Sequence, residues 1–191
     1  LRLMPARTWT RSLYDRLGVS WEENRRQDRT PAPTLPVSEP LLTDKPEHLF
    51  ERAESELIPD DNPWGFKLDV PHYKYNRGEL YNLSISRGTL TREERYIISH
   101  HMVQTILVLS RLPFPEHLNN VAEIAGGHHE KMDGTGYPKR LKREEMSLQA
   151  RMMAIADIFE ALTAADRPYK KAKTLSEALG IMANMCRDAH I

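Results

Sequence analysis

The C-terminal half of this chain, residues 90–191, reads as an all-α domain, and the half before it as an irregular arm rich in proline and aromatic residues. Three observations carry that reading. Thr91 with Glu94, and Thr174 with Glu177, are capping boxes that mark helix starts. Apolar residues after residue 90 recur every three or four positions, the helical period. No segment shows the strict apolar–polar alternation of a half-buried strand.

The elements follow in order. Residues 1–28 form a charged segment. Trp9, Leu13, Leu17 and Trp21 predict helix over residues 7–28, and Gly18 allows two shorter helices. Residues 29–45 are a connector in which Pro31, Pro33, Pro36 and Pro40 favour extended backbone. Residues 46–89 are an arm or insertion, with one short helix expected over 46–57. Pro59 to Gly65 is turn-forming, and Trp64, Phe66, Tyr73, Tyr75 and Tyr81 are the expected anchors.

From Leu90 the first long helix carries Tyr96, Ile97, Met102, Val103, Ile106 and Leu107. Leu112–Pro113–Phe114–Pro115 stops it. A second helix is expected from about Glu116 to His129, a third from Ser147 to Ala165, and a last one from Thr174.

Composition narrows the function. The 191 residues hold 27 basic and 27 acidic side chains, so no net field favours a nucleic-acid polymer or an anionic membrane. One cysteine, Cys186, excludes an internal disulfide framework and fits a reducing compartment. It is expected to be a small buried residue on a helix. No stretch reaches the ~20 apolar residues of a membrane span. A cytoplasmic location is expected, with membrane attachment of the parent left open through domains outside this chain. The chain starts at Leu1 rather than Met and stops on a helical pattern without a cap. The natural protein is therefore expected to extend beyond it.

The chemistry concentrates in Gly126–Gly127–His128–His129–Glu130–Lys131–Met132–Asp133–Gly134–Thr135–Gly136–Tyr137–Pro138. Two imidazoles and two carboxylates within six residues suit a first-row transition metal. The glycines then allow a tight loop to approach a ligand, and Pro138 fixes its exit. Asp157 sits in Ala154–Ile155–Ala156–Asp157–Ile158–Phe159. By periodicity it is either the wet edge of an amphipathic helix or a carboxylate offset by a cation. His100 and His101 are adjacent on the first long helix. Successive helical side chains diverge by about 100°, so only one of them can serve a given site. Arg167 and Lys170 form a basic turn after the Asp157 helix, and a guanidinium fork suits phosphate oxygens.

The loop resembles the signature of the HD-GYP family of metal-dependent phosphodiesterases, HHExxDGxGYP. His128, His129, Glu130, Asp133, Gly134, Gly136, Tyr137 and Pro138 all fit it. The resemblance runs from about Leu90 to the C-terminus. It implies a partial helical HD-type metal-dependent phosphohydrolase domain over residues 90–191. It also implies two or three divalent ions, iron or manganese, in the complete site.

Within that resemblance, His100, His128, His129 and Asp157 are the expected metal ligands, with His128, His129 and Asp157 catalytic. Arg167, Lys170, Gly134, Gly136 and Tyr137 are the expected substrate contacts. The implied activity of the parent is hydrolysis of cyclic di-GMP to pGpG or GMP. A diguanylate cyclase (GGDEF) domain is an implied partner of the GYP loop.

Three departures qualify the match. Glu160 stands where the family often has a second Asp, and one residue is inserted before Arg167. The His-Asp dyad is also missing: the residues after the eight histidines are Leu49, Tyr73, His101, Met102, Leu118, His129, Glu130 and Ile191. Either the dyad lies upstream of residue 1, or the chain is a degenerate, non-catalytic module that binds a nucleotide or a partner. Truncation is the favoured reading, and the fragment alone is then expected to be inactive.

Overall fold

The structure is a computed structural model and describes residues 7–15, 18–86, 88–166 and 171–191. The chain divides into two compact units, Leu1–Leu57 with Pro71–Arg95, and Ile58–Val70 with Tyr96–Ile191.

The first unit holds two short antiparallel ladders. Strand β1 (Thr8–Arg11) pairs with β2 (Val37–Pro40), Thr8 opposite Pro40 and Arg11 opposite Val37. Strand β3 (Leu49–Glu51) pairs with β4 (Tyr73–Asn76), with an irregularity between Phe50 and Glu51. These strands correct two expectations. Residues 7–28 are not one helix: Thr8–Arg11 is strand, Gly18 takes a positive φ of 77°, and only α1 (Trp21–Gln27) is helical. The Ser20–Glu23 capping box sets where α1 starts. Residues 46–57 are likewise not one helix, but two single 3-10 turns around β3.

Polar pairing holds this unit. Arg11 is buried, and its guanidinium donates to both carboxylate oxygens of Glu39 at 3.0 and 2.8 Å. The Phe50 ring meets Tyr75 edge-on and carries the Arg26 guanidinium 3.6 Å from its centroid. Helix α2 (Glu79–Leu83) follows β4. Tyr81 donates to buried Glu93 at 2.9 Å.

The second unit carries the site. Helix α3 (Arg92–Leu109) starts where the Thr91–Glu94 box places it: Thr91 N–H donates to Glu94, and Glu94 N–H to Thr91 Oγ1. Its inner face is Tyr96, Met102, Val103 and Ile106, all buried. Met102 is fully buried, a burial contributing about 1.5–3 kcal/mol. Phe66 packs on Val103 and Ile106, so an aromatic of the arm does act as an anchor.

The expected second helix is shorter than predicted. A 3-10 turn at Glu116–Leu118 precedes α4 (Val121–Gly126), and the chain has left the helix before His128. Helix α5 (Leu148–Thr163) is capped by Ser147, and α6 (Leu175–Arg187) by the Thr174–Glu177 box. Buried Ala150, Ala154 and Ala178 let these helices pack closely. Cys186 is exposed on α6, not buried as expected. Among the described residues, no helix is long and apolar enough to cross a membrane.

Candidate metal centre

Two glycines place the histidine pair. A Cβ on Gly126 would stand 2.6 Å from Ile106 of α3, and one on Gly127 would stand 2.9 Å from the Ala150 Cβ of α5. Only because both lack side chains does the end of α4 sit tightly against α3 and α5. The chain then leaves the helix, so His128 and His129 need not diverge as helical neighbours do. Their rings lie 4.2 Å apart, centroid to centroid.

His101 of α3 joins them. One ring nitrogen from each of His101, His128 and His129 lies within 4.8 Å of the other two. Metal–nitrogen bonds of about 2.1 Å separate donor pairs by roughly 3–4 Å, so a small contraction suffices to bind an ion. Two tautomers are fixed by backbone carbonyls, which can only accept. His128 Nδ1–H donates to Ala125 O at 2.7 Å, and His101 Nδ1–H donates to Ile98 O. In the neutral rings, Nε2 is left with a lone pair for a cation. The cluster therefore fits a divalent ion of nitrogen preference.

His100, the expected ligand of this pair, is not among the three close donors; the α3 histidine brought to His128 and His129 is His101. His100 lies one turn after Tyr96, its ring 5.6 Å from the Tyr96 ring, on the side of the helix that carries Tyr96 and Val103. His101 is rotated about 100° from it, onto the open side.

Asp157, half-buried on α5, is not among the three mutually close donors. Its charge nevertheless acts on His129 and Tyr137. Burial and the neighbouring His128 push His129 down to about 4, against the pull of Asp157. His129 is thus neutral at pH 7 and ready to ligate. Burial raises Tyr137 above the ordinary phenol range, while a hydrogen bond with Ser99 opposes the shift.

The glycine loop folds on itself. Gly136 is buried, and a Cβ there would lie 2.2 Å from Lys131 N. Gly134 takes a φ of 80°. Asp133 accepts from Thr135 N–H and Oγ1–H at 2.8 and 2.7 Å and faces His190 at 3.6 Å. Glycine at 134 and 136 is thus required by the loop's own backbone. Tyr137 stacks on His129 at 4.9 Å and 29°. Glu130 is buried and points away from the histidines, into the loop. Sequence reasoning missed the parts taken by His101, Ser99 and Glu130. Apolar residues on both sides of α3 hid the place of His101, and nothing in the sequence distinguished Ser99. Arg167 and Lys170 lie outside the described residues.

A family model described as an HD domain matches residues 36–191. The chain belongs to the HD domain family. Among curated proteins, this HD-domain chain is 43% identical over 96 residues to the 3'3'-cGAMP-specific phosphodiesterase 3 of Vibrio cholerae, covering 50% of the chain and 20% of that protein. It is 44% identical over 91 residues to a cyclic di-GMP phosphodiesterase of Thermotoga maritima, covering 48% and 24%. It is 43% identical over 135 residues to the 3'3'-cGAMP-specific phosphodiesterase 2 of Vibrio cholerae, covering 68% and 24%. These names agree with the HD-GYP resemblance. The chain spans about a fifth to a quarter of the length of these relatives.

Proposed function

We propose that this HD-domain chain is the GYP-bearing part of a metal-dependent phosphodiesterase that hydrolyses cyclic di-GMP to pGpG or GMP. The carrying observation is the trio of ring nitrogens of His101, His128 and His129 within 4.8 Å, two of them with Nδ1 fixed on backbone carbonyls. In this reading His101, His128 and His129 hold the ion, and Asp157 completes the set from α5. Iron or manganese, two or three ions in the whole site, follows from the family resemblance and is compatible with nitrogen and carboxylate donors. A bound divalent ion would supply Lewis-acid charge to a phosphoryl oxygen and lower the pKa of water.

The protein's own groups do the rest. Neutral His129 keeps its lone pair at pH 7, and Tyr137 walls one face of its ring. Arg167 and Lys170 carry no lone pair when charged, so they serve the substrate phosphates, each hydrogen bond contributing about 1.5–3 kcal/mol. Gly134 and Gly136 act indirectly, by shaping the loop that presents Tyr137. Docking of a diguanylate cyclase domain on that loop rests on the resemblance alone. Unpaired Cys186 suits a reducing compartment and supports a cytoplasmic location.

A second reading, a binding module without turnover, holds if the His-Asp dyad is absent from the whole parent as it is from these 191 residues. The test is to purify the full-length parent without oxygen, load it with iron or manganese, and follow cyclic di-GMP and 3'3'-cGAMP by chromatography. Linear product supports the enzyme. Full metal occupancy with bound but unbroken nucleotide supports the module.

A further inference from the structure

The residue after the histidine pair does not join it. Glu130 is 3% exposed, and both of its oxygens are engaged by backbone: Oε1 accepts from Lys139 N–H at 2.6 Å and Oε2 from Leu141 N–H at 2.9 Å. A carboxylate so engaged is a strong acceptor, because charge-assisted bonds gain when water is excluded. It ties the start of the loop to residues nine and eleven positions later.

Between those two points the loop returns to the histidines. Gly136 lies against the backbone of Glu130 and Lys131. Tyr137 N–H then donates to His129 O at 3.2 Å, its ring stacks on the His129 ring, and its hydroxyl meets Ser99 of α3. Ser99 lies two residues before His101 on α3. The loop return therefore touches one histidine of the cluster directly and the helix of another.

We infer that Glu130 is a positioning residue: by clamping Lys139 and Leu141 it holds Tyr137 on the His129 ring and so fixes the direction of the His129 donor. Glu130 is not itself among the close donors: both its oxygens face the loop backbone. The first readout below is independent of the proposed function; the second rests on it.

The test compares wild type, Glu130→Ala and Glu130→Gln in the full chain. In Glu130→Ala both acceptors go. In Glu130→Gln one acceptor stays and the other becomes a donor facing a backbone N–H. First, the metal-free proteins are followed by NMR of the histidine rings. The stacked Tyr137 shifts the His129 ring protons, so both variants should move His129 while His72 and His117 stay in place. Second, cobalt(II) is titrated and its visible spectrum recorded. Affinity should fall about 10- to 100-fold in Glu130→Ala and less in Glu130→Gln, with a changed ligand-field spectrum in both.

A lower melting temperature with unmoved His129 resonances, and wild-type cobalt affinity and spectrum, would overturn the inference and leave Glu130 merely structural. If Glu130→Ala does not fold, Glu130→Gln decides by the same two readouts. If wild type takes up no cobalt, the metal reading fails, and the His129 resonances alone still decide the role of Glu130.

Discussion

The two adjacent histidine pairs of this chain behave differently, and the difference lies in the backbone under them. His100–His101 sits inside α3, where neighbours diverge by about 100°, and only His101 reaches the cluster. His128–His129 sits just past α4, where the helix has ended, and both rings reach it. A His-His dipeptide thus gives one donor in a helix and two at a helix end. The Gly126–Gly127 pair makes the second case possible by letting the end of α4 close onto α3 and α5.

The largest expected effect tests the donor set itself. His101→Ala, His128→Ala and His129→Ala should each weaken cobalt or manganese binding by roughly a hundredfold or more, above the range for groups that only support a ligand. Calorimetric titration of each variant checks this. Retained affinity in any of the three removes that residue from the set.

The next effect separates the two glycines of the loop. Gly136→Ala puts a Cβ into backbone at 2.2 Å and should cost roughly 2–4 kcal/mol of stability. Gly134→Ala places a side chain at φ 80° with its Cβ 3.3 Å from the flexible Lys142 side chain, a cost of about 1–2 kcal/mol. Urea unfolding of the two variants should therefore rank them in that order. The reverse ranking would mean that the loop relaxes at Gly136 more readily than its packing implies.

How much of this was legible beforehand differs between the units. The helical unit announced itself: Thr91, Ser147 and Thr174 cap the helices expected to start there. The loop and its histidine pair were recognisable because their chemistry is local. The first unit was misread because the spacing of Trp9, Leu13 and Leu17 mimics a helix. Thr8–Arg11 is held as strand by pairing with Val37–Pro40, partners far along the chain, which no local pattern reports. The Ser20–Glu23 box was readable and would have placed the true helix start. His101 was lost because both sides of α3 carry apolar residues. Ile97, at 40% exposure, suggested a buried face that is open.

A smaller effect concerns the charge that His129 feels. Its depressed pKa means that the fold favours the neutral ring. The folded state therefore binds that proton less tightly than the unfolded chain. Stability from this group is full above its ordinary value of 6.5 and is lost as pH falls from there towards about 4. Thermal melts of the metal-free chain between pH 7.5 and 4 should show that decline, and His129→Gln should flatten it. An unchanged slope in the variant would assign the decline to other groups. Asp157→Asn removes the charge that opposes the depression, so His129 should titrate still lower, which NMR titration reads. The same variant should lose about tenfold in metal affinity.

The smallest effect is an expected absence of one. His100→Ala should leave metal affinity within about twofold, because that ring lies beside Tyr96 and outside the donor cluster. Paired with His101→Ala, it is the sharpest contrast within a single dipeptide.

The most direct measurement of the centre is an anomalous-difference map from a crystal of this chain grown with manganese or cobalt, recorded at the metal edge. The predicted result is a peak within bonding distance of a ring nitrogen of His101, His128 and His129 together. A peak at His100, or a metal-saturated protein with no peak among these three rings, would contradict the account.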